Sequence, residues 1–433
     1  MNNQSDDVAI PLQTPPTLSE STRVWAKIGI LSFGGPAAQI ALMHRMIVDE
    51  KKWLTEKQFL NALNFCMLLP GPEAMQLATY SGWRTHGLIG GLIAGSLFVI
   101  PGALIIAVLA TLYANYGALP LVDAAFLGIK AAVLIIVFEA LLKVSRKALH
   151  LNAHYAIAAL AFIGLFFLKI PYPLIVVAAA VYGFASSRTG KETSELKVQI
   201  NNSIPSLVKT VSAGLVIWWA PVVLLWMAGA HEILIQIAVF FSKLAVVTFG
   251  GAYAVLAYMA QDVVGAKGWL TAQEMIDGLG LAETTPGPLI LVTEFVGFLA
   301  AEKVGGFWLG LMGAATTLWV TFVPCFLWIF TGAPYIEWLS SQPRLKGALS
   351  AITAAVVGVI LNLAIWFALN VAFDGLETMH WGPLEILTPD WLLFDWRVLI
   401  LAVLSAVLLL KFKWSIILTL AICALGGILL AAV

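Results

Sequence analysis

Long apolar runs separated by short polar stretches dominate the chain. About 20 apolar residues are enough for one helix to cross a bilayer. Thirteen runs approach or exceed that length: 22–46, 58–82, 87–113, 122–146, 153–168, 171–187, 207–228, 231–260, 274–299, 304–330, 345–373, 396–411 and 413–433. The pattern predicts an all-α polytopic membrane protein.

A block within these runs occurs twice. Residues 27–72 align with residues 243–288 without a gap, at an offset of 243 − 27 = 216, and 16 of the 46 positions are identical. The offset later drifts to 223, where Pro101 aligns with Pro324. A repeat of this length predicts two homologous halves. The shared strings are Phe33-Gly34-Gly35 with Phe249-Gly250-Gly251, Trp53-Leu54-Thr55 with Trp269-Leu270-Thr271, and Pro70-Gly71-Pro72 with Pro286-Gly287-Pro288.

The repeat divides the chain into four parts. We predict a disordered tail over 1–21, a first half over 22–187, a cytoplasmic link with a joining helix over 188–230, and a second half over 231–433. Seven apolar runs lead from the first Phe-Gly-Gly to the second. Because seven is odd, equivalent helices should run in opposite directions, which is the inverted repeat that many secondary transporters use.

Charge indicates which loops face the cytoplasm. Basic residues concentrate in 188–209 and 143–147, so these stretches and the N-terminus should lie inside, and the acidic loop 374–395 outside. The basic stretch 45–57 would lie outside if 22–46 spans fully, and this conflict disappears if 22–46 and 58–82 are re-entrant hairpins, which we favour. Full spanning is the alternative, with nearby acidic residues offsetting the basic ones: Asp49, Glu50 and Glu56.

Composition narrows the function. Hydrophobic residues make up 61% of the chain and charged residues 11%, against about 25% charged in soluble domains. The formal net charge of zero argues against nucleic acid as a partner. The three cysteines, Cys66, Cys325 and Cys423, are scattered and read as apolar packing residues. No nucleotide, hydrolase or metal motif is present, so we expect neither a cofactor nor an enzyme.

The repeated glycine and proline strings interrupt apolar segments at matching positions. Interrupted segments of this kind are the best sequence indication of a transporter's binding site, because half-helix N-termini present unpaired N–H groups to an anion. The alternative is that the glycines allow close helix packing and the prolines only kink helices. The glycines predicted to bind substrate are Gly34, Gly35, Gly71, Gly250, Gly251 and Gly287.

Polar residues beside the breaks are further candidates. Lysines at equivalent positions could neutralise a dianion or extend to the interface, and the hydroxyls and amide could bind an oxyanion or cap helix ends. These are Lys27, Lys243, Ser32, Thr248, Gln76, Thr284 and Thr285. Intramembrane carboxylates are costly and suit proton coupling, although Glu73 could equally cap a helix. The coupling candidates are Glu73, Glu283, His44 and Arg45, the last two being an interfacial pair in the alternative interpretation.

These strings resemble the chromate ion transporter (CHR) family in its long, two-domain form. The resemblance rests on the repeated strings and extends over both halves, about residues 22–433. It also rests on two further strings, Met43-His44 and Gln76-Leu77-Ala78. It implies two inverted halves in a bacterial inner membrane and export of chromate, with sulfate as the similar oxyanion.

The chain departs from the family pattern at two places. Gln39 stands where many members have His, and Glu73-Ala74-Met75 stands where they have a Ser-Thr-like pair, so the match is to a subgroup. A carrier for sulfate or another oxyanion, or an anion channel on the same fold, are the alternative functions. The glycine-rich faces 90–95 and 305–313 could serve contacts within the chain or a homodimer.

Overall fold

The computed structural model describes residues 16–187, 204–249, 251–336, 342–382 and 384–432. Over these ranges the protein is an all-α polytopic membrane protein with one added β-hairpin. Its helices are α1 Leu18–Leu31, α2 Gly35–His44, α3 Glu56–Cys66, α4 Glu73–Tyr116, α5 Pro120–Ala148, α6 Asn152–Phe166, α7 Tyr172–Ser186, α8 Ile204–Met227, α9 Glu232–Val247, α10 Ala252–Met259, α11 Ala272–Thr284, α12 Val292–Gly332, α13 Pro343–Ala372, α14 Trp396–Ala406 and α15 Ile416–Ala431.

Five helical stretches of the described chain are long and apolar enough to cross a membrane. They are Glu73–Tyr116, Pro120–Ala148, Leu207–Met227, Leu289–Tyr335 and Pro343–Ala372. The apolar runs of the sequence therefore do form helices, with boundaries within a few residues of those predicted. The predicted tail over 1–21 extends too far, because α1 begins at Leu18, where the Thr17 side chain accepts a hydrogen bond from the N–H of Glu20.

The helix breaks predicted at the repeated strings are present. α1 ends at Leu31 and α2 begins at Gly35, while α3 ends at Cys66 and α4 begins at Glu73. The second half breaks at the equivalent strings, between α9 and α10 and between α11 and α12. Gly250 itself lies outside the described residues. Proline at 70 and 72 removes backbone donors that a continuous helix would need, so the chain leaves the helix there.

The repeated Trp-Leu-Thr string starts a helix in each half. The side chain of Thr55 accepts from the N–H of Gln58, and the Gln58 side chain accepts from the N–H of Thr55. Thr271 and Glu274 form the same reciprocal pair at the start of α11. This capping box satisfies two N–H groups that a helix start leaves unpaired. The repeat therefore fixes the starts of α3 and α11.

The long helices α4 and α12 each fold back on themselves. α4 turns sharply at His86 and Gly87, and α12 turns at Gly305 and Gly306. Beyond the turn in α4, Gly90 lies against the carbonyl of Gly82, which a straight helix would hold about 12 Å away at 1.5 Å per residue. Each element is therefore two antiparallel arms in close contact.

Two short stretches of the chain also fold back, so that the end of each stretch lies beside its beginning. Glu20 at the start of α1 pairs with Lys51, which follows α2, at 2.7 Å. In the second half, Glu274 at the start of α11 pairs with Lys303, just before the turn of α12, at 2.6 Å. α1 with α2, and α11 with the first arm of α12, therefore each form a hairpin whose apex is a helix break.

The closing helices of each half pack on the long helix of the other half. α5 lies against α14 and α15, whereas α13 lies against α6 and α7. Gly128 of α5 touches the carbonyl of Cys423, and Gly183 of α7 touches the carbonyl of Gly347. The glycine-rich faces considered for a dimer also make contacts within the chain, since Gly91 meets Phe330 and Gly313 meets the carbonyl of Gly297.

One element was not predicted. The acidic loop contains two antiparallel strands, β1 Leu376–Trp381 and β2 Leu384–Pro389. The N–H of Glu385 donates to the carbonyl of Phe167, which joins this hairpin to the turn between α6 and α7. The hairpin therefore covers the end of the bundle at which α13 finishes.

Candidate functional site

Three of the helix breaks meet at a pair of adjoining cavities. One has a volume of about 260 Å³ and is lined by Gly34, Gly35 and Glu283 among others. The other has a volume of about 310 Å³ and is lined by Gly71. Both cavities share Met67, Glu73, Val144, Lys147 and Gly251 as lining residues. We call the two together the central cavity.

Three helices begin at this cavity. Their N-caps are Gly34 for α2, Pro72 for α4 and Gly251 for α10, and no side chain caps any of these three N-termini. A helix start leaves N–H groups without an intrahelical partner, and the helix dipole adds partial positive charge there. Gly34, Gly35 and Gly251 have φ angles of 88°, 75° and 93°, which glycine adopts without strain. These glycines allow the starts of α2 and α10 to face the same cavity as the start of α4.

Acidic and basic side chains line the same space. Glu73 lies close to Gly251, with its Oε1 atom 3.7 Å from the position a Cβ would take. The hydroxyl of Tyr253 donates to Glu283 at 3.0 Å. Lys143 and Glu139, one turn apart on α5, form an ion pair at 2.6 Å. In the described part of the chain, Lys147 has no carboxylate within ion-pair distance, so its ammonium group remains available to an anion.

The backbone N–H groups of Gly71 and Gly287, which we predicted to bind substrate, donate to carbonyl groups of the other half instead. The N–H of Gly71 donates to the carbonyl of Thr248 at 2.9 Å, and the N–H of Gly287 donates to the carbonyl of Ser32 at 2.8 Å. The side chain of Gln39 also donates to the Gly287 carbonyl at 2.6 Å. These groups bind the two halves together and are therefore not free donors to a substrate.

The candidate hydroxyls bond to their own helices. Ser32 donates to Ile28, Thr248 to Leu244, Thr284 to Leu281 and Thr285 to Ala282, each to a backbone carbonyl three or four residues earlier. A hydroxyl has one proton to donate, so these residues satisfy helix ends, as the capping interpretation proposed. The Gln76 amide likewise donates to the carbonyl of Pro70 at 2.7 Å.

Four other candidates lie away from the central cavity. Lys27 and Lys243 are exposed, and the Lys243 Nζ atom stands 5.8 Å from the centre of the Tyr258 ring. His44 contacts Glu56 and Asp49 at the surface, and the hydrogen bond to Glu56 raises the pKa of its imidazole. Arg45 pairs with Glu50. The interfacial interpretation fits all four better than a binding role.

Four residues of the cavity were missed as site residues. Lys143 and Lys147 were used only to orient the chain in the membrane, and Glu139 and Tyr253 were not singled out as site candidates. All three α5 residues lie far along the chain from the breaks. Their spacing of four residues does place them on one helix face, which was the available signal.

The sequence pattern of the chromate transporter family matches residues 20–184 and 235–428. A chromate transport protein of Pseudomonas aeruginosa is 32% identical over 342 residues, covering 77% of each chain.

Two further relatives cover more of the chain. A probable chromate transport protein of Synechococcus elongatus is 28% identical over 395 residues, covering 88% of this chain and 91% of the relative. A chromate transport protein of Cupriavidus metallidurans is 27% identical over 361 residues, covering 83% and 84%. No solved structure matches.

Proposed function

The chain belongs to the chromate transporter family, and from this premise we propose that it is a secondary carrier that exports chromate from the cytoplasm through the central cavity. The observation that carries the proposal is the convergence of three uncapped helix starts on a cavity lined by Lys143 and Lys147. N–H groups and ammonium groups are the donors that bind tetrahedral oxyanions in proteins.

Lys147 is the principal cation of this proposal. Lys143 already pairs with Glu139, whereas Lys147 makes its nearest described polar contact with the Met67 sulfur at 3.8 Å. Both lysines lie in the last turns of α5 and are exposed, so they stand at the opening of the cavity. A dianion entering there meets Lys147 first and the helix starts of α2 and α10 deeper in.

Glu73 and Glu283 couple the anion to protons in this account. Two unit charges of like sign 4 Å apart repel by about 4 kcal/mol at an effective dielectric constant of 20. A dianion and ionised carboxylates therefore exclude each other from the cavity, whereas protonated carboxyls accept the anion. Anion and proton binding then favour one another. Exchange with sulfate, a dianion of similar shape, uses the same cavity.

The membrane potential supplies a driving force for export. Moving one charge across 100 mV is worth about 2.3 kcal/mol, so a dianion leaving a negative interior gains about 4.6 kcal/mol per 100 mV. Each proton carried with the anion lowers that gain by one charge. Export down the potential is therefore favourable with none or one proton bound.

Orientation follows from the distribution of charge. The start of α1 and the segment after α2 lie at one face, which carries basic residues including Lys51 and Lys52. The acidic residues Asp374 and Asp390 flank the β-hairpin at the opposite face. The positive-inside rule then makes the first face cytoplasmic, with the N-terminus inside and the protein in the inner membrane of a bacterium.

Two contacts between the halves of the chain support an inverted repeat with re-entrant hairpins. Tyr113, near the end of α4, donates to Asp277 in the early turns of α11. At the other end, Phe330 in the last turns of α12 meets Gly91, just after the turn of α4. The equivalent arms of α4 and α12 thus run antiparallel. The hairpins closed by Glu20 and Lys51 enter from the cytoplasm, and those of the second half enter from outside.

Chromate efflux from vesicles containing the purified protein tests the proposal. We expect a saturable efflux that sulfate inhibits and that an inside-negative potential accelerates. Efflux that rises linearly with chromate concentration would indicate a channel. Absence of chromate efflux, both with and without the inside-negative potential, would refute chromate as the substrate.

A further inference from the structure

A second polar cavity lies at the opposite face from the opening of the central cavity. Its volume is about 420 Å³, and it lies between α10, the turn after α6, α13 and the β-hairpin. We call it the outer cavity. Its polar lining residues are Lys169, Gln261, Asn362 and Glu385. The apolar part of the lining includes Trp366.

Two amide side chains of the outer cavity have no hydrogen-bond partner within the described chain. In the part of the chain that the structure describes, the side-chain amides of Gln261 and Asn362 make no hydrogen bond, and the Oε1 atom of Gln261 is fully buried. Leaving a buried polar group unpaired costs about 1–3 kcal/mol. Lys169 stands beside them with a left-handed φ of 50° and its Nζ atom 5.9 Å from the Phe166 ring centre. The amide N–H groups of Gln261 and Asn362 and the exposed ammonium group of Lys169 are therefore free to donate to a bound molecule.

The repeat relates the outer cavity to the central one. With the offset of 223, Glu139 corresponds to Asn362 (139 + 223 = 362) and Lys143 to Trp366 (143 + 223 = 366). Glu139 and Lys143 line the central cavity, and Asn362 and Trp366 line the outer one. Repeat-equivalent positions of α5 and α13 therefore line the two cavities: those of α5 line the central cavity and those of α13 line the outer cavity.

We propose that the outer cavity is a second oxyanion site, from which the transported dianion is released. Lys169 and the amide N–H groups of Gln261 and Asn362 hold the anion, as ammonium and amide donors do for tetrahedral oxyanions. The assignment of this cavity to the release face rests on the proposed function. Its donor set is weaker than that of the central cavity, because it has one lysine, neutral amides and the carboxylate of Glu385. Weak binding suits a place that a substrate must leave.

A cysteine at position 265 reports occupation of the outer cavity. Gly265 lines the cavity, is exposed, and has open space where a Cβ would stand. The three native cysteines are buried, so a membrane-impermeant maleimide should label Gly265→Cys selectively. We expect sulfate, which does not oxidise thiols, to slow this labelling in the full-length protein, and chloride at equal ionic strength not to.

Variants of the donors identify the site. Lys169→Gln and Gln261→Leu, each combined with Gly265→Cys, should raise the half-protecting sulfate concentration at least ~10-fold, equivalent to about 1.4 kcal/mol. The matched control is Lys267→Gln, because Lys267 stacks on the Trp269 ring at 4.8 Å and does not line the outer cavity. That control should protect at the same sulfate concentration as the parent.

The results separate this site from the proposed function. Absence of protection by sulfate, or equal protection in the Lys169→Gln, Gln261→Leu and Lys267→Gln proteins, would overturn the outer site even if chromate efflux is intact. Protection that weakens only in the first two variants would establish the site even if chromate efflux were absent, in which case the proposed function alone fails.

Discussion

The backbone N–H of Gly71 donates to the carbonyl of Thr248 at 2.9 Å, across the two halves of the chain. The partner bond, from Gly287 to Ser32 at 2.8 Å, is its repeat equivalent, because 71 + 216 = 287 and 32 + 216 = 248. Each Pro-Gly-Pro break is thus tied to the residue before the Phe-Gly-Gly string of the other half. The two halves interlock at the level of the central cavity.

Replacing Gly71 should destabilise this junction. Its φ of 117° disfavours any side chain, and a Cβ would stand 2.8 Å from the Sγ atom of Cys325. Strained backbone and overpacking each cost about 1–3 kcal/mol, so Gly71→Ala should lower the melting temperature of the purified protein by several degrees.

Cys325→Ala should relieve part of that loss. A double-mutant cycle of Gly71→Ala with Cys325→Ala should show a coupling of about 1 kcal/mol. The control pairs Gly71→Ala with Cys423→Ala, a buried cysteine elsewhere in the fold, where the effects should add. Additive effects in both cycles would contradict the contact between Gly71 and Cys325.

Filling the central cavity at Gly35 should stop transport without unfolding the protein. Gly35 and Gly87 both have positive φ angles, 75° and 61°, and both have open space at the Cβ position. Only Gly35 lines the central cavity. Gly35→Leu and Gly87→Leu should therefore lose similar stability, while chromate efflux falls at least ~10-fold in the first variant alone. Equal efflux from the two variants would show that this end of the cavity is not on the substrate path.

Neutralising the cavity carboxylates should remove the response of transport to pH. In the wild type, ionisation of Glu73 and Glu283 as pH rises should raise the KM for chromate, because the charged groups repel the anion. Glu73→Gln and Glu283→Gln should each flatten this dependence when KM is measured between pH 6 and 8. Glu232→Gln, at an exposed position on α9, should retain it. A wild-type KM that does not change with pH would refute coupling through these groups.

A buried charge cluster joins α4, α5 and α11. Lys130 lies 3.6 Å from Asp277, each side chain is 7% exposed, and Tyr113 donates to Asp277 at 2.8 Å. Breaking a buried pair by removing one partner costs about 3–5 kcal/mol, whereas replacing both with apolar residues is often neutral. Lys130→Met and Asp277→Leu should each lower the melting temperature strongly, and the double variant should recover most of the loss.

The exposed pair of Arg45 and Glu50 is the comparison for that cluster. Their atoms approach to 3.7 Å at a surface where water screens the interaction. Exposed ion pairs contribute about 0–1 kcal/mol, so Glu50→Gln should change the melting temperature little. A double variant no more stable than Lys130→Met alone would contradict a direct interaction between Lys130 and Asp277.

The helices and their breaks could be predicted because local physical rules determine them. Apolar run length set the helices, the Pro-Gly-Pro strings set the breaks, and the repeated Trp-Leu-Thr string supplied the capping boxes at Thr55 and Thr271. The β-hairpin in the acidic loop escaped prediction because His380 and Glu385 pair across strands through backbone bonds. Those bonds leave a weak sequence signal in so short an element.

The partners of site residues could not be predicted, because they come from distant parts of the chain. The sequence placed Glu73 and Gly251 in the site, but not their contact with each other. The buried pair of Lys130 with Asp277 was not predicted, because the two residues lie 147 positions apart along the chain (277 − 130 = 147). The local sequence predicts a free N–H group at Gly71. In the structure this N–H donates to the carbonyl of Thr248 in the other half, which the local sequence cannot reveal.

The most direct test of the central cavity is the KM for chromate efflux in vesicles containing Lys147→Gln. Lys147 lines both parts of the cavity, whereas Lys346, exposed near the start of α13, lines neither. Loss of one charge-assisted contact is worth about 1.5–3 kcal/mol, so Lys147→Gln should raise KM at least ~10-fold, with Lys346→Gln unchanged. Equal KM values for Lys147→Gln, Lys346→Gln and the wild type would contradict binding of the oxyanion in this cavity.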